Sequence, residues 1–589
     1  SSVLATALYQ KIPKRKVEEP FEADPEDALG SYFAAAAAEE EKWSKQLLVF
    51  SDSRQNAAYF ATYLSSTYED LLAKSILVKV LEEHRSACLE NRWTIKDFHK
   101  RVLRYIQEHD IIQDSVESMS EEVWRWIMRE FAADTSQTSL ERMGLTVFVP
   151  DFDQIKNGNM LWEIPFLKNK GFNSEEVRTL YSFFLDQFRI NRAVEYPEAV
   201  DPCDPYFEPR NQQGGFWTKR PSHLKQQPKH YSLKGWVPAG ERYSNTRLDY
   251  LEKLLAADGI KCSKIDTMKM LEDIFSSLIH QQSPLHDYLK DRTLNGAGKI
   301  YLLDPKLYKV VPGRNNPEIK YYRCTECHRV TRYNIRGVCP NYRCEGKLVE
   351  IDLEQELENN HYRYLYLNMK PETLGCKEHT AQLATEDAAK IQTGFISGDI
   401  NVLSCSTTFE LGVDVGELET VFMKNVPPTP ANYAQRAGRA GRRTSSTAYA
   451  LTYARLSSHD FNHFQEPEKM ISGIVRPPYF SVDNIKIAKR HMYACAFAFF
   501  WRTYEEYFND VAAFFCSDGP KRFREFLLTK PAELKEMLLT VIPPSLHQAV
   551  GVEDWQWVEE LYARDGLITK VTKEITQDLN DIETAYANA

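Results

Sequence analysis

The sequence predicts an α/β domain split by a long, mainly helical insertion and followed by a helical C-terminal region. Three observations carry that fold class. Leu47 to Phe50 is a short, wholly apolar run that ends abruptly in polar residues and passes into a helical pattern over Ala57 to Leu64, as a buried parallel strand does. The same pairing of short apolar strand and helix returns only beyond residue 360. Between the two lie about 250 residues in which helical periodicity dominates.

Taken in order, residues 1–43 read as a linker and helix: Lys11 to Asp27 is rich in charge and proline, and Tyr32 to Lys45 is an Ala/Glu run of high helical propensity. Residues 44–70 supply the first strand and helix of the α/β domain. The insertion, 71–320, has helical periodicity at Tyr68–His84, Ile95–Glu108, Glu121–Ala132, Ser174–Ile190 and Arg247–Ala256, with a loop-like Gly, Pro, Gln and aromatic stretch between the last two. From about Lys299 the pattern turns β-like, and 321–350 holds a cysteine cluster. The remainder of the α/β domain, 351–458, starts with α/β character at Tyr362–Asn368. It continues through a helix at Leu383–Ile396 and strands at Asn401–Ser404, Thr420–Lys424 and Ala448–Tyr453. Residues 459–589 are mostly helical. One split domain is the simpler topology, because the strand and helix of 46–64 are too little to close a core alone.

Of 589 residues, 43% are hydrophobic and 26% charged, a globular balance with material for buried cores. Lys and Arg number 73 against 83 Asp and Glu, for a net charge of −10. That excludes a wholly basic nucleic-acid coat but leaves room for a local basic channel, since screening confines each field to roughly 8 Å. No run approaches the ~20 apolar residues needed to cross a bilayer, and Ser1 to Gln10 has no secretory pattern. Cys88, Cys203, Cys262, Cys376, Cys405, Cys495 and Cys516 are scattered, which suits a reducing compartment. The expectation is a soluble cytoplasmic chain with no membrane partner.

The most informative stretches are Ser406-Thr-Thr-Phe-Glu-Leu-Gly-Val-Asp414 and Gln435-Arg-Ala-Gly-Arg-Ala-Gly-Arg442. Arg436, Arg439 and Arg442 recur every third residue, so a helix opening here would align their guanidinia along one face. Gly438 and Gly441 remove side chains between them, letting backbone or ligand approach. Such a row suits polyphosphate, because guanidinium pairs bidentately with phosphate oxygens and stays charged. Gln435 adds a neutral group able to orient a water or a phosphate oxygen. The competing reading is a solvated basic helix face.

On these residues the chain resembles the second RecA-like domain of superfamily 2 helicases. Ser51–Arg54 resembles motif IV, Ser406–Asp414 motif V and Gln435–Arg442 motif VI, while Glu378-His-Thr-Ala-Gln382 sits where many relatives carry a His-rich segment. The run Cys405–Arg443, with Asn425-Val-Pro-Pro-Thr-Pro-Ala-Asn-Tyr433 inside it, resembles MrfA-like helicases and the large helicases of bacterial anti-phage systems such as DISARM and Druantia. The resemblance implies ATP with Mg²⁺ as cofactor. Arg442 would be the arginine finger, with Arg439 sharing its charge and Gln435 contacting phosphate or the attacking water. Glu410, Gly412 and Asp414 would couple nucleotide state to nucleic acid, beside the glycines Gly438 and Gly441. Thr407, Thr408, Ser51, Arg54 and His379 would contact a strand, although Arg54 also reads as a surface helix residue. Single-stranded or duplex DNA is the implied partner, in a bacterial cytoplasm.

A helicase of this kind needs a first RecA-like domain with G-x-x-x-x-G-K-[ST] and an acidic Mg²⁺ box. Neither stands out in the sequence: Gly296-Ala-Gly-Lys299 lacks the upstream glycine at the required spacing. The expectation is therefore half of an ATP site. The first domain then belongs to a longer polypeptide or to a separate chain, or the helicase half has been repurposed. Other defence-system subunits would be further partners. The alternatives left open are a non-catalytic nucleic-acid-binding scaffold subunit and a DNA-repair helicase.

Two further signals stand outside the motor motifs. Cys324, Cys327, Cys339 and Cys344 have the spacing C-x₂-C-x₁₁-C-x₄-C, two knuckles that give the S₄ set Zn²⁺ prefers in closed structural sites. Arg323, Arg329, Arg332, Arg336 and Arg343 surround it, and a redox pair is the competing reading. Between Pro209 and Arg247 there are eight Lys and Arg against one acid, Glu241, interleaved with aromatics. Trp217, Lys219, Arg220 and Trp236 there suit a single strand, whose phosphates track cations and whose bases stack on rings. The alternative is an irregular loop whose aromatics pack locally.

Overall fold

The computed structural model describes residues 2–16, 43–91, 93–132, 137–154, 164–207, 212–217, 231–283, 285–294, 298–406, 418–441, 448–475 and 483–588. They form two compact units, Ser1–Gly473 and Ile474–Ala589. The short helices Ser458–Gln465 and Glu468–Ile471 belong to the first unit, so the division falls beyond residue 458.

Five strands build the central sheet of the first unit: β1 (Leu47–Phe50), β2 (Cys376–His379), β3 (Val402–Cys405), β4 (Thr420–Met423) and β5 (Tyr449–Thr452). All neighbours are parallel and the order is β2-β3-β1-β4-β5. The chain leaves this sheet at Phe50 and rejoins it at Cys376. Strand β1 is apolar throughout because it is central and covered on both faces. Leu47 and Val49 face Phe60, Leu64 and Phe422, while Leu48 and Phe50 face Phe395, Leu403, Val421 and Met423. Helix α1 (Arg54–Glu83) covers the first face. Residues 361–368 form helix α2 (His361–Asn368), which packs on α1, and the strand entering the sheet is Cys376–His379. Helices α3 (Thr385–Ile396) and α4 (Pro430–Ala437) supply side chains to the second face.

Helix α1 begins where the Ser53 hydroxyl accepts the Asn56 N–H at 3.2 Å and runs for 30 residues. Its N-terminal half buries one stripe, Ala57, Phe60, Ala61, Leu64 and Tyr68. Every residue from Leu71 to Val78 is then buried, the pattern of a helix enclosed on all sides. The enclosed part includes Lys74, whose ammonium meets Asp70 at 3.2 Å and Glu130 at 3.4 Å. One continuous apolar core joins the sheet, α1 and the insertion's helices Ile95–Glu108, Val116–Phe131, Ser174–Ile190, Thr246–Ala257 and Lys264–Ile279.

The insertion carries more strand than its periodicity suggests. Gln213–Trp217 lies between parallel Tyr231–Gly235 and antiparallel Gly298–Leu303, with Leu289–Leu294 outermost. Thr146–Pro150 pairs with Tyr308–Pro312. Two of these strands come from the stretch that reads as a loop. Its Gly214 is a strand residue at a close approach, since a Cβ there would stand 1.9 Å from the Asn191 carbonyl oxygen. Residues 321–351 fold as a three-stranded antiparallel module, with Tyr321–Cys324 between Val330–Thr331 and Leu348–Ile351.

The second unit is helical. Phe500, Phe514, Phe523 and Trp557 are buried in its own core, so the aromatic stripe of this region is packing. No helix among the described residues is long and apolar enough to cross a membrane.

Candidate functional site

The carboxyl ends of the parallel strands share one edge of the sheet, and the distinctive segments follow them. Ser51–Arg54 follows β1, Thr380 follows β2, Ser406 follows β3, and Asn425 follows β4 and leads into α4. In open parallel sheets this edge is where loops and helix starts converge on ligands. Thr407, Thr408, Glu410, Gly412, Asp414 and Arg442, like Lys219 and Arg220, lie outside the described residues.

Ser51 is fully buried: its N–H donates to the Cys405 carbonyl at 2.9 Å, and its hydroxyl has no partner among the described residues. The same holds for the Thr380 hydroxyl, 2% exposed. These two buried hydroxyls lie just past β1 and β2. Arg54 is exposed in the first turn of α1. His379 is half-buried at the end of β2, and burial lowers the pKa of its imidazole from the ordinary histidine value.

Arg436 and Arg439 of the Gln435–Arg442 run do not share a helix: Arg436 lies inside α4 and Arg439 beyond its end. Helix α4 ends at Ala437 with Gly438 as its C-cap, so the run closes a helix where the spacing suggested an opening one. Arg436 lies inside the helix, wholly buried, with its guanidinium 3.0 Å from the Asp52 carboxylate and 5.6 Å from the centre of the Phe50 ring. The Asn425 amide donates to the same carboxylate. Arg436 is therefore a bolt between the turn after β1 and α4, and Asp52 and Asn425 are functional neighbours that the motif reading passed over. Asp52 is the single carboxylate in Ser51–Arg54, and that was the signal for it. Arg439 is also buried, at 6% exposure, and its charge opposes the upward push that burial gives the Cys405 thiol at the end of β3. Gln435 is exposed on α4.

The glycines serve the backbone. Gly441 has φ 72° and donates its N–H to the Leu418 carbonyl at 2.8 Å, and a Cβ on it would stand 2.6 Å from that of Ala448. A Cβ on Gly438 would meet the Ala434 carbonyl oxygen at 2.8 Å.

Trp236 requires correction. It is 1% exposed, parallel to the Phe188 and Phe275 rings at 5.2 and 5.1 Å, with the Arg247 guanidinium 4.7 Å from its centre. Its indole N–H donates to the Leu271 carbonyl at 3.2 Å. No face of it is left for a base. Trp217 ends the strand Gln213–Trp217, opposite Ile300.

The four cysteines converge. Their sulfurs lie within 4.8 Å of one another, with Cys324 to Cys344 at 3.5 Å and Cys327 to Cys339 at 3.8 Å. A tetrahedron with metal–sulfur bonds of ~2.3 Å has edges of ~3.8 Å, so the set fits a tetrahedral ion. Cys327, Cys339 and Cys344 each accept the backbone N–H two residues ahead, from Arg329, Asn341 and Gly346, and Asn341 Nδ2 donates to Cys327 Sγ at 3.1 Å. Gly346 is required there, since a Cβ would stand 2.4 Å from Cys324 Sγ. Arg332 and Arg336 turn away from the thiols. Arg332 meets Glu141 at 3.2 Å, Arg336 meets Glu176 at 2.9 Å, and Tyr333 donates to Asp186, fastening the module to the insertion.

Residues 348–444 match the family model described as "Helicase conserved C-terminal domain". Among curated proteins, the Druantia protein DruE of Escherichia coli (strain UMEA 4076-1) is 42% identical over 144 residues, 22% of this chain and 8% of that protein. The ATP-dependent helicase HRQ1 of Saccharomyces cerevisiae is 30% identical over 118 residues, 19% of this chain and 11% of that protein. The chain thus matches about a tenth of the length of these relatives. A solved structure titled "Crystal Structure of DUF1998 helicase MrfA bound to DNA and AMPPNP" is 26% identical with a TM-score of 0.17, covering 21% of this chain and 17% of that one.

Proposed function

Because residues 348–444 carry a helicase conserved C-terminal domain, we propose that this chain is the C-terminal motor half of an ATP-dependent DNA helicase or translocase. It works against a first RecA-like domain on the same polypeptide or another chain. The observation that carries the reading is the Asp52–Arg436 bolt at 3.0 Å, which ties the turn after β1 to the arginine-bearing end of α4. A translocating domain must move its strand contacts and its phosphate contacts as one rigid body, and this pair joins the segments that bear them.

In this reading ATP with Mg²⁺ binds between the two RecA-like domains and supplies the phosphoryl transfer that drives the cycle. Arg442 and Arg439 neutralise charge developing on the γ-phosphate. Gln435, exposed on α4, orients water or a phosphate oxygen. Glu410, Gly412 and Asp414 couple nucleotide state to the strand, and Gly438 and Gly441 let the backbone turn tightly beneath the arginines. Thr407, Thr408, Arg54 and His379 hold the strand through hydroxyl, guanidinium and imidazole groups, while the fully buried Ser51, expected from the motif as a strand contact, instead fixes the turn through its N–H to the Cys405 carbonyl. Cys324, Cys327, Cys339 and Cys344 hold one structural Zn²⁺. The 42% identity to a Druantia protein favours anti-phage defence as the setting.

The test is single-strand-stimulated ATP hydrolysis by the natural polypeptide or complex, beside its Arg442→Ala form. Hydrolysis that collapses in the variant while nucleotide binding persists supports a motor whose finger lies here. Hydrolysis indifferent to Arg442, or none, leaves a nucleic-acid-binding scaffold.

A further inference from the structure

The side of the sheet that α1 covers is closed over β4, whose four residues are all buried, and open among the described residues at the edge strand β5, where Tyr449 is exposed. Register identifies what lies on that open part. Phe422 faces α1, and it pairs in parallel with Leu451, so Tyr449, Leu451 and Tyr453 share its side of the sheet. Lys424 and Tyr453 extend their strands by one residue, through N–H bonds to the Phe50 and Met423 carbonyls at 2.9 and 2.8 Å. Lys424 therefore rises on the same side, its ammonium 4.6 Å from the Phe60 ring centre and 3.4 Å from the Asn56 carbonyl oxygen.

Two features make this surface unlike a site for another helix. Its large exposed groups are tyrosines: Tyr59 is 67% exposed, Tyr63 46%, Tyr449 52% and Tyr453 37%. Tyr59 and Tyr63 already stack in parallel at 5.8 Å on the exposed flank of α1. Its exposed and half-buried charged side chains are Lys424 and Arg455, both cationic. Residues 54–68 and 448–458 contain no carboxylate in a chain of net charge −10, and the buried carboxylate of Asp460 accepts the Arg455 backbone N–H at 2.9 Å and the Val426 N–H at 3.3 Å. Burial and the neighbouring Arg455 hold the Lys424 ammonium below its ordinary range, and a guanidinium nitrogen of Arg455 is buried without a partner. With Asp460 engaged by backbone N–H groups, two like charges held close together favour a polyanion across their side chains.

We propose that this open face is a single-strand track, with Lys424 and Arg455 binding backbone phosphate and Tyr59, Tyr63 and Tyr453 stacking bases. The proposal rests on the reading of the chain as a nucleic-acid motor and extends it to residues outside the motifs. Tyrosine rings accept any base because every base has a π-face, so the track is indifferent to sequence. It adjoins the carboxyl-end turn bearing Ser51 and Arg54, so a strand held by that turn continues along α1 past Tyr59 and Tyr63.

The test is fluorescence anisotropy of a labelled oligothymidylate of about 12 nucleotides, titrated with the whole chain across a salt series. Lys424→Gln with Arg455→Gln is expected to weaken binding roughly tenfold and to reduce the salt slope by about 1 to 2. Tyr59→Ala with Tyr63→Ala is expected to weaken binding at unchanged salt slope, with a smaller loss on an abasic oligonucleotide. A second measurement needs no variant: a 5-bromouracil oligonucleotide photo-cross-linked to the wild-type chain should label Tyr59, Tyr63 or Tyr453. A wild-type chain that binds the oligonucleotide while both variant pairs match it, with cross-links elsewhere, overturns the track alone. A wild-type chain that does not bind overturns the track and the motor reading together.

Discussion

The guanidinium of Arg436, with no exposed surface, stands 3.0 Å from the carboxylate of Asp52, and this one ion pair joins segments separated by most of the chain. Of the arginines in the Gln435–Arg442 run, Arg436 serves the fold, and the phosphate contacts proposed for the motif fall to Arg439 and Arg442.

Arg436→Met should destabilise the first unit by about 3 kcal/mol, because it breaks a pair whose cationic member is buried. Asp52→Ala should cost about 2 kcal/mol, as the buried guanidinium loses its carboxylate. The double variant should fall short of the sum by about 1 to 2 kcal/mol, the coupling expected of residues in contact. Chemical denaturation of the four proteins reads this cycle, and strict additivity would refute the bolt.

Metal analysis of the purified chain should find about one zinc per chain, the number that four thiolates in one closed shell hold. Cys344→Ser should lose the metal and loosen the module. Protease cleavage within 321–351 should rise while cleavage in the second unit stays unchanged. Full protection of a metal-free variant would show that Arg332, Arg336 and Tyr333 hold the module without the ion.

Trp236→Ala should destabilise the insertion by about 3 to 5 kcal/mol, the cost of emptying a large aromatic site. Trp236→Phe should keep wild-type affinity for single strands. Weakened oligonucleotide binding by a stably folded Trp236→Phe chain would restore the indole as a strand contact.

His99 is 6% exposed, stacked 4.2 Å from Trp124 and bonded through Nε2 to the Ser120 carbonyl at 3.0 Å. Burial lowers its pKa below the ordinary value, so the unfolded chain binds the extra proton first as pH falls. Stability from this residue is present above about pH 6.5 and is lost on acidification below it. His99→Gln should flatten the thermal-midpoint profile between about pH 5 and 7, and an unchanged profile would place the titration elsewhere.

The α/β core was legible because β1, β3 and β4 are short apolar runs whose burial on both faces leaves no alternation to confuse. The cysteine quartet was legible because four thiols at knuckle spacing have few other geometries. Arg436 was misread because spacing reports which residues could share a helix face but not where the helix ends. Its end is set by Gly438, whose backbone abuts the Ala434 carbonyl. Trp236 was misread because composition cannot separate rings that await bases from rings that pack on Phe188 and Phe275. The strands at Gln213 and Tyr231 were hidden by glycines, which mark close packing as often as turns. Lys424 and Arg455 escaped notice since their meeting depends on β4 and β5 lying side by side.

Helix α1 has a mechanical consequence. At 1.5 Å per residue its 30 residues make a strut ~45 Å long, tied to the sheet where the Ser404 hydroxyl donates to the Ala57 carbonyl at 2.8 Å and enclosed by the insertion from Leu71 onward. A tilt of about 5° at the sheet end sweeps the far end through ~4 Å over that length. The sheet and the insertion share one core along this strut, so the insertion cannot idle while the sheet turns. It travels as the long arm of a lever whose short arm ends at Asp52.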